Sequence, residues 1–161
     1  MMIIEYEKMI TKTIMFYEKM LGLPVDMNNI DEYVHSLTLP GYAKVFMDVY
    51  QMNIIDNDNL ATLGDSVLGL CICKYFYDND SSTKKGMISD MKKRLGCNEF
   101  LNEIGENILN LDRYLFKIKR DLDCYKAYAT AVESIMGCIF NQYGLDASMD
   151  FFVENILNYV K

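Results

Sequence analysis

Asn57 to Tyr77 reads NDNLATLGDSVLGLCICKYFY, the most apolar long segment of the chain, and Asp65 lies inside it. Leu60, Leu63, Val67, Leu68, Leu70, Cys71, Ile72, Tyr75 and Phe76 cover most of a helix circumference, so the expectation is a helix buried on nearly all sides. An ionised carboxylate in such surroundings is costly unless it is paired, hydrogen-bonded or bound to a metal. Asp58 and Asp65 are seven residues apart, about two helical turns, so they share a face with Ala61 between them. A second reading starts the helix at Gly64-Asp65-Ser66, with Asp65 as its N-cap.

A second segment bears on that choice. Ala127 to Phe140, AYATAVESIMGCIF, is another apolar helix with one carboxylate, Glu133, in its middle. Thr130 lies three residues earlier on the same face. Two core helices, each with a lone acid, suggest two acids that meet.

The rest of the chain reads as more helices around these two. Met1 to Met20 is amphipathic and ends at Gly22 and Pro24. Asn28 to Ser36 is a short second helix that stops before a Pro40-Gly41 turn, and His35 within it reads as a surface or capping residue. Tyr42 to Met52 is helical, and Asp56 to Asn59 is a polar break with N-cap character. DNDSSTKKG, residues 78 to 86, is a loop by composition. Met87 to Leu95 is a short basic helix, Asn98 caps the next one, and Asp112 to Arg120 is read as helix although Tyr114, Phe116 and Ile118 alternate. The second acidic helix runs from Tyr125 to Tyr143, and Ala147 to Tyr159 closes the domain.

At 161 residues with 51% hydrophobic and 24% charged side chains, the chain is one globular domain rather than a disordered one. Its five cysteines lack a disulfide-framework spacing and read as reduced core thiols in a cytoplasmic protein. No signal peptide or membrane-length apolar run is visible. The net charge of −7 argues against a nucleic-acid binder, but residues 84 to 126 hold ten of the 16 Lys and Arg and seven of the 23 acids. That segment is locally +3, leaving −10 for the rest, so it can present a basic stripe to phosphate. Lys84, Lys85, Lys92, Lys93, Arg94, Lys117, Lys119 and Arg120 are the candidate phosphate contacts. Gly-rich phosphate loops, GxSxG and HExxH patterns are absent.

LATLGDSVLGL resembles the signature helix of ribonuclease III domains, and ATAVESIMGCIF resembles their second acidic helix. GMISDMKKRLGCNEFLNEIG is similar to the family's basic helix, and SLTLPGYA, Ser36 to Ala43, to its Ala-Leu-Thr-His-Pro-Ser-Tyr turn. The four matches occur in family order, over roughly residues 17 to 157. The family's usual metal-binding set is two acids on each helix. Here Ala61 and Thr130 stand at two of those places, Asp58 is an acid one turn earlier on the first helix, and Lys85 occupies a usual acid position. Ala61 and Thr130 resemble the Mini-ribonuclease III subfamily, whose signatures read Ala-Tyr-Leu-Gly-Asp and Ala-Thr-Ala-Phe-Glu.

The resemblance implies an all-α, two-fold homodimeric endonuclease domain that hydrolyses double-stranded RNA with Mg²⁺, or Mn²⁺ in its place. It implies Asp65, Glu133 and Thr130 as catalytic residues, and Asp65, Glu133 and Asp58 as metal ligands. The expectation is a single domain over residues 1–161, with 1–16 an N-terminal helical extension and no separate double-stranded RNA-binding domain. Two oxygen ligands suffice for one Mg²⁺, which keeps several waters. The competing reading is a ribonuclease III fold that has lost cleavage and serves as an RNA-binding or assembly subunit. A third is an unrelated helical interaction protein.

Overall fold

The computed structural model describes residues 1–79 and 84–160, and of Lys85 the backbone alone. Helix α1 spans Met2–Ile14 and runs on as a π-helical stretch, Met15–Met20, before Gly22 turns the chain at φ +69°. Then come α2 (Ile30–Ser36), α3 (Pro40–Tyr50), α4 (Asp58–Asn79), α5 (Lys85–Leu95), α6 (Asn98–Glu103), α7 (Leu111–Tyr114), α8 (Ala127–Tyr143) and α9 (Leu145–Asn155). Pro40 and Gly41 form the first turn of α3 rather than a separate turn, because proline's fixed φ and missing N–H suit the first helical position. Helix α6 begins at Asn98 with Cys97 as its N-cap, and continues as a π turn, Ile104–Ile108.

Helix α8 is the central rod. Ala129, Ala131, Val132, Ser134, Ile135, Met136, Cys138 and Ile139 have no exposed surface. Burying each large apolar side chain of this kind contributes about 1.5–3 kcal/mol. Helix α4 lies directly against α8. A Cβ on Gly64 would overlap the backbone carbonyl of Glu133, and a Cβ on Gly137 would overlap that of Leu60. The two glycines therefore let the backbones touch, which no larger residue at either position allows.

Helix α4 is less enclosed than its composition suggests. Val67, Leu68, Cys71 and Ile72 are buried, but Leu70 is 49% and Tyr77 77% exposed. Asp65 lies well inside this helix, so the alternative with Asp65 as an N-cap does not hold.

Between α7 and α8 the chain is extended, and the helix expected over residues 112 to 120 stops at Tyr114. Phe116 donates its N–H to Leu37 O (2.8 Å) and accepts from Leu39 N (2.9 Å), a parallel bridge to Thr38. The alternation of Tyr114, Phe116 and Ile118 is the imprint of that strand-like segment. A 3₁₀ turn, Lys119–Asp123, follows. Asp121 there accepts from Gly41 N (2.7 Å), Tyr42 N (3.1 Å) and Ile118 N (2.9 Å). One carboxylate thus satisfies two of the orphan amides at the start of α3 and fixes the turn against it.

All five cysteines are free; Cys71 and Cys138 are buried, whereas Cys124 is exposed and so is no core thiol. No helix among the described residues is long and apolar enough to cross a membrane.

Candidate active site

The glycine contact between α4 and α8 decides where the acids go. Gly64 touches the backbone of Glu133, so Asp65 and Glu133, next to that contact, come to the same edge of the helix pair. The N–H of Ala61 donates to Asn57 O (2.9 Å), which starts α4 at its polar break. Asp58, Ala61 and Asp65 follow on one face. The N–H of Thr130 donates to Lys126 O (2.9 Å), which starts α8. Lys126, Thr130 and Glu133 then stand at i, i+4 and i+7, again on one face.

These two faces form the floor of an open cleft of about 1350 Å³. Its other walls come from one face of α3, with Lys44 and Asp48, and from Arg120, Asp121 and Cys124. The Asp121 hydrogen bonds hold those two walls together.

The cleft is electrostatically tense. Burial first and the Asp65 charge second push the Glu133 carboxyl up, Lys126 opposes both, and the net result is a pKa of about 7. Burial and the neighbouring Asp56 charge push Asp58 upward too, again against Lys126. A carboxylate held upward by a like charge is a group that a cation would relieve. Among the described residues, no three His, Cys, Asp or Glu side chains converge tightly enough to hold one ion together. The donor set is therefore a pair of hard carboxylates with room for water. That set fits Mg²⁺ or Mn²⁺, which take oxygen ligands and retain waters, and does not suit a soft thiophilic metal.

Asp58, Ala61, Asp65, Thr130 and Glu133 all fall within a segment that matches a known family. The sequence matches the Ribonuclease III domain over residues 58–144, more than half of the chain. The chain belongs to the ribonuclease III domain family. Ribonuclease 3 of Carboxydothermus hydrogenoformans is 30% identical over 142 residues, covering 85% of this chain and 58% of that protein. Ribonuclease 3 of Clostridium perfringens is 27% identical over 143 residues, covering 86% of this chain and 57% of that protein. The chain thus spans less than three fifths of the length of these curated relatives. The nuclease domain of Campylobacter jejuni ribonuclease III superposes with a TM-score of 0.73 at 21% identity, over 90% of this chain and 96% of that one. The fold is the all-α ribonuclease III fold.

Within this ribonuclease III domain, Asp58, Asp65, Thr130 and Glu133 all line the one cleft, and so does Ala61. The basic residues divide. Arg120 lines the cleft, whereas Lys117 pairs with Asp112 (3.1 Å) and also donates to its backbone carbonyl, beside Lys12. Lys119 is exposed on the 3₁₀ turn. Lys92, Lys93 and Arg94 occupy the last turn of α5, with the Lys92 side chain lying over Gly69 of α4. Lys84 is exposed, and the Lys85 side chain lies outside the described residues.

Two further residues belong to the cleft that the motif reading did not single out. Asn57 is 1% exposed, and neither atom of its carboxamide has a hydrogen-bond partner. Lys126 stands at the head of α8. Its spacing of four and seven from Thr130 and Glu133 was the available signal; for Asn57, burial of a polar residue in a polar tetrapeptide left none.

Proposed function

We propose that this chain is a metal-dependent endoribonuclease that hydrolyses phosphodiester bonds of double-stranded RNA. The observation that carries this reading is the approach of Asp65 and Glu133 across the Gly64–Gly137 contact, inside an open cleft.

The chemistry a divalent cation supplies here is activation of a water at neutral pH and neutralisation of phosphate charge. Asp65 and Glu133 would hold it, and Asp58 would support it through water. For that, Glu133 must be ionised, and its elevated pKa of about 7 puts the change in the neutral range. The Thr130 hydroxyl, one turn from Glu133, orients a water by accepting or donating a hydrogen bond. Ala61 leaves space for a further water on the facing helix. In the net reaction a water oxygen bonds to phosphorus and one ester P–O bond breaks. One proton of the water is released and the departing ribose oxygen gains one, giving a phosphomonoester and a hydroxyl.

Substrate class follows from the surroundings. Duplex RNA is recognised mostly by its phosphates, its 2′-hydroxyls and its shape, so a basic rim suits it better than base-reading side chains. Lys92, Lys93 and Arg94 on α5 and Arg120 at the cleft supply such a rim. A two-fold homodimer is supported by the apolar side chains left uncovered on α3 and α4, Val45, Val49, Leu70 and Tyr77 among them. Five unpaired cysteines suit a reducing compartment, the cytoplasm.

The test is incubation with long RNA duplexes and matched single strands, with Mg²⁺ and with a chelator. Internal fragments from the duplex alone, abolished by the chelator, are expected. Binding of duplex without any cutting in Mg²⁺ or Mn²⁺ would make the chain an RNA-binding or assembly subunit instead.

A further inference from the structure

The turn that leads into α8 carries a tyrosine that the fold does not use. Tyr125 is 74% exposed, and among the described residues its ring packs on no core side chain and its hydroxyl has no hydrogen-bond partner. Its backbone, by contrast, is held. Tyr125 O accepts from the Asn102 side chain of α6 (2.5 Å), and the same carboxamide accepts from Ala129 N of α8 (2.7 Å). Next to it, Ala127 N donates to Cys124 O (3.1 Å). Its neighbours in sequence, Cys124 and Lys126, both line the cleft, as does Arg120, and Lys119 is exposed on the same turn. A free ring on a fixed backbone thus stands at the cleft rim among cations. The nearby Tyr128 has no such freedom, because its hydroxyl donates to Asp112 (3.0 Å).

The exposed apolar surface of this turn is the Tyr125 ring and Leu122, which is 39% exposed. That is too narrow and too hemmed in by charge for the core of a protein interface, which is broad and poor in charged residues. A ring among cations is instead the pattern that takes an exposed nucleobase, the ring stacking on the base and the cations meeting the flanking phosphates. Tyrosine has few rotatable bonds, so fixing it on a ligand costs little entropy. In continuous A-form duplex the bases stack on one another and the major groove is deep and narrow, so a ring at the rim finds no free base face. An unpaired nucleotide offers one. We propose that Tyr125 is a specificity residue that stacks on an unpaired nucleobase beside the cut, so that the chain prefers RNA duplex interrupted by a bulge or internal loop over continuous duplex. This rests on the duplex-RNA reading above.

The experiment compares wild type, Tyr125→Phe and Tyr125→Ala on two RNA duplexes of one sequence, one continuous and one with a single bulged 2-aminopurine. Binding is measured in a chelator, so that nothing is cut, and cleavage separately in Mg²⁺. Wild type and Tyr125→Phe should quench the 2-aminopurine fluorescence on binding and hold the bulged duplex about ten-fold more tightly than the continuous one, the size of one base–aromatic stack. Tyr125→Ala should lose both the quenching and the preference. It should keep the wild-type affinity and cleavage rate on continuous duplex and the wild-type urea midpoint, because the ring packs on nothing that folding needs. Equal wild-type affinity for the two duplexes would overturn the proposal, as would Tyr125→Ala retaining the preference. Either result, with continuous duplex still cut in Mg²⁺, would leave the endonuclease reading intact. Quenching and preference that depend on Tyr125, in a chain that never cuts, would support the stacking site and overturn the endonuclease reading. A chain that binds neither duplex would overturn both.

Discussion

Gly64 of α4 and Gly137 of α8 each have the other helix's backbone where a Cβ would be: Glu133 O for the first, Leu60 O for the second. The contact is backbone on backbone, so no side chain can swing away to relieve an added methyl group. Gly64→Ala is expected to destabilise the domain by about 3 kcal/mol, the upper end of the usual cost of overpacking. Gly137→Ala should do nearly as much. Urea unfolding checks both; a change under about 0.5 kcal/mol would mean the helices do not meet this closely.

Glu133 gives the metal-free protein a defined pH dependence. Its pKa is raised from 4.5 to about 7 on folding, so between those values the native state binds more protons than the unfolded one. Stability contributed by this group is therefore greatest below pH 4.5, and declines as the pH rises toward 7. Mg²⁺ affinity should move the opposite way, rising through pH 7 with release of a proton below it. Glu133→Gln should flatten the stability profile. Titrations of urea midpoint and of Mg²⁺ affinity against pH test the two signs separately.

The Asp121 carboxylate ties the start of α3 to the 3₁₀ turn that carries Arg120. Asp121→Ala leaves the amides of Gly41, Tyr42 and Ile118 without this acceptor, and should cost about 1–2 kcal/mol, as loss of an N-cap does. It should also slow cleavage without abolishing it, because two walls of the cleft lose their tether. An unchanged urea midpoint would remove the clamp from the account.

The α4 and α8 segments announce themselves in the sequence, since each is a long apolar helix with an acid on a definable face. Their meeting is legible only once both are seen to carry a lone carboxylate. The region between α7 and α8 is not, because Leu111, Leu115 and Ile118 fit a helix as readily as Tyr114, Phe116 and Ile118 fit a strand. What settles it is a partner distant in sequence, the Leu37–Leu39 backbone. Burial of α4 on nearly all sides was overestimated because composition cannot say which apolar residues, such as Leu70 and Tyr77, are left uncovered in a single chain. Asn57 was invisible for a similar reason: the sequence shows a polar residue in a helix start, and only tertiary packing buries it.

Binding should be separable from cutting at α5. Replacing Lys92, Lys93 and Arg94 together by Glu is expected to weaken duplex RNA binding and to flatten its salt dependence. Each lost phosphate contact removes about 0.7–0.9 from the slope of log affinity against log salt. Filter binding across a salt series measures it; an unaltered slope would place the phosphates elsewhere.

The most direct measurement pairs cleavage with binding for Asp65→Asn and Glu133→Gln, each of which keeps shape and removes charge. Duplex RNA is incubated with Mg²⁺, and bound and cleaved fractions are read from the same samples. Both variants should bind duplex within a few-fold of wild type, while cleavage falls at least about 10³-fold; Thr130→Ala should bind normally and cut more slowly. Wild-type cleavage rates in either Asp65→Asn or Glu133→Gln would contradict the assignment of this carboxylate pair as the centre of the reaction.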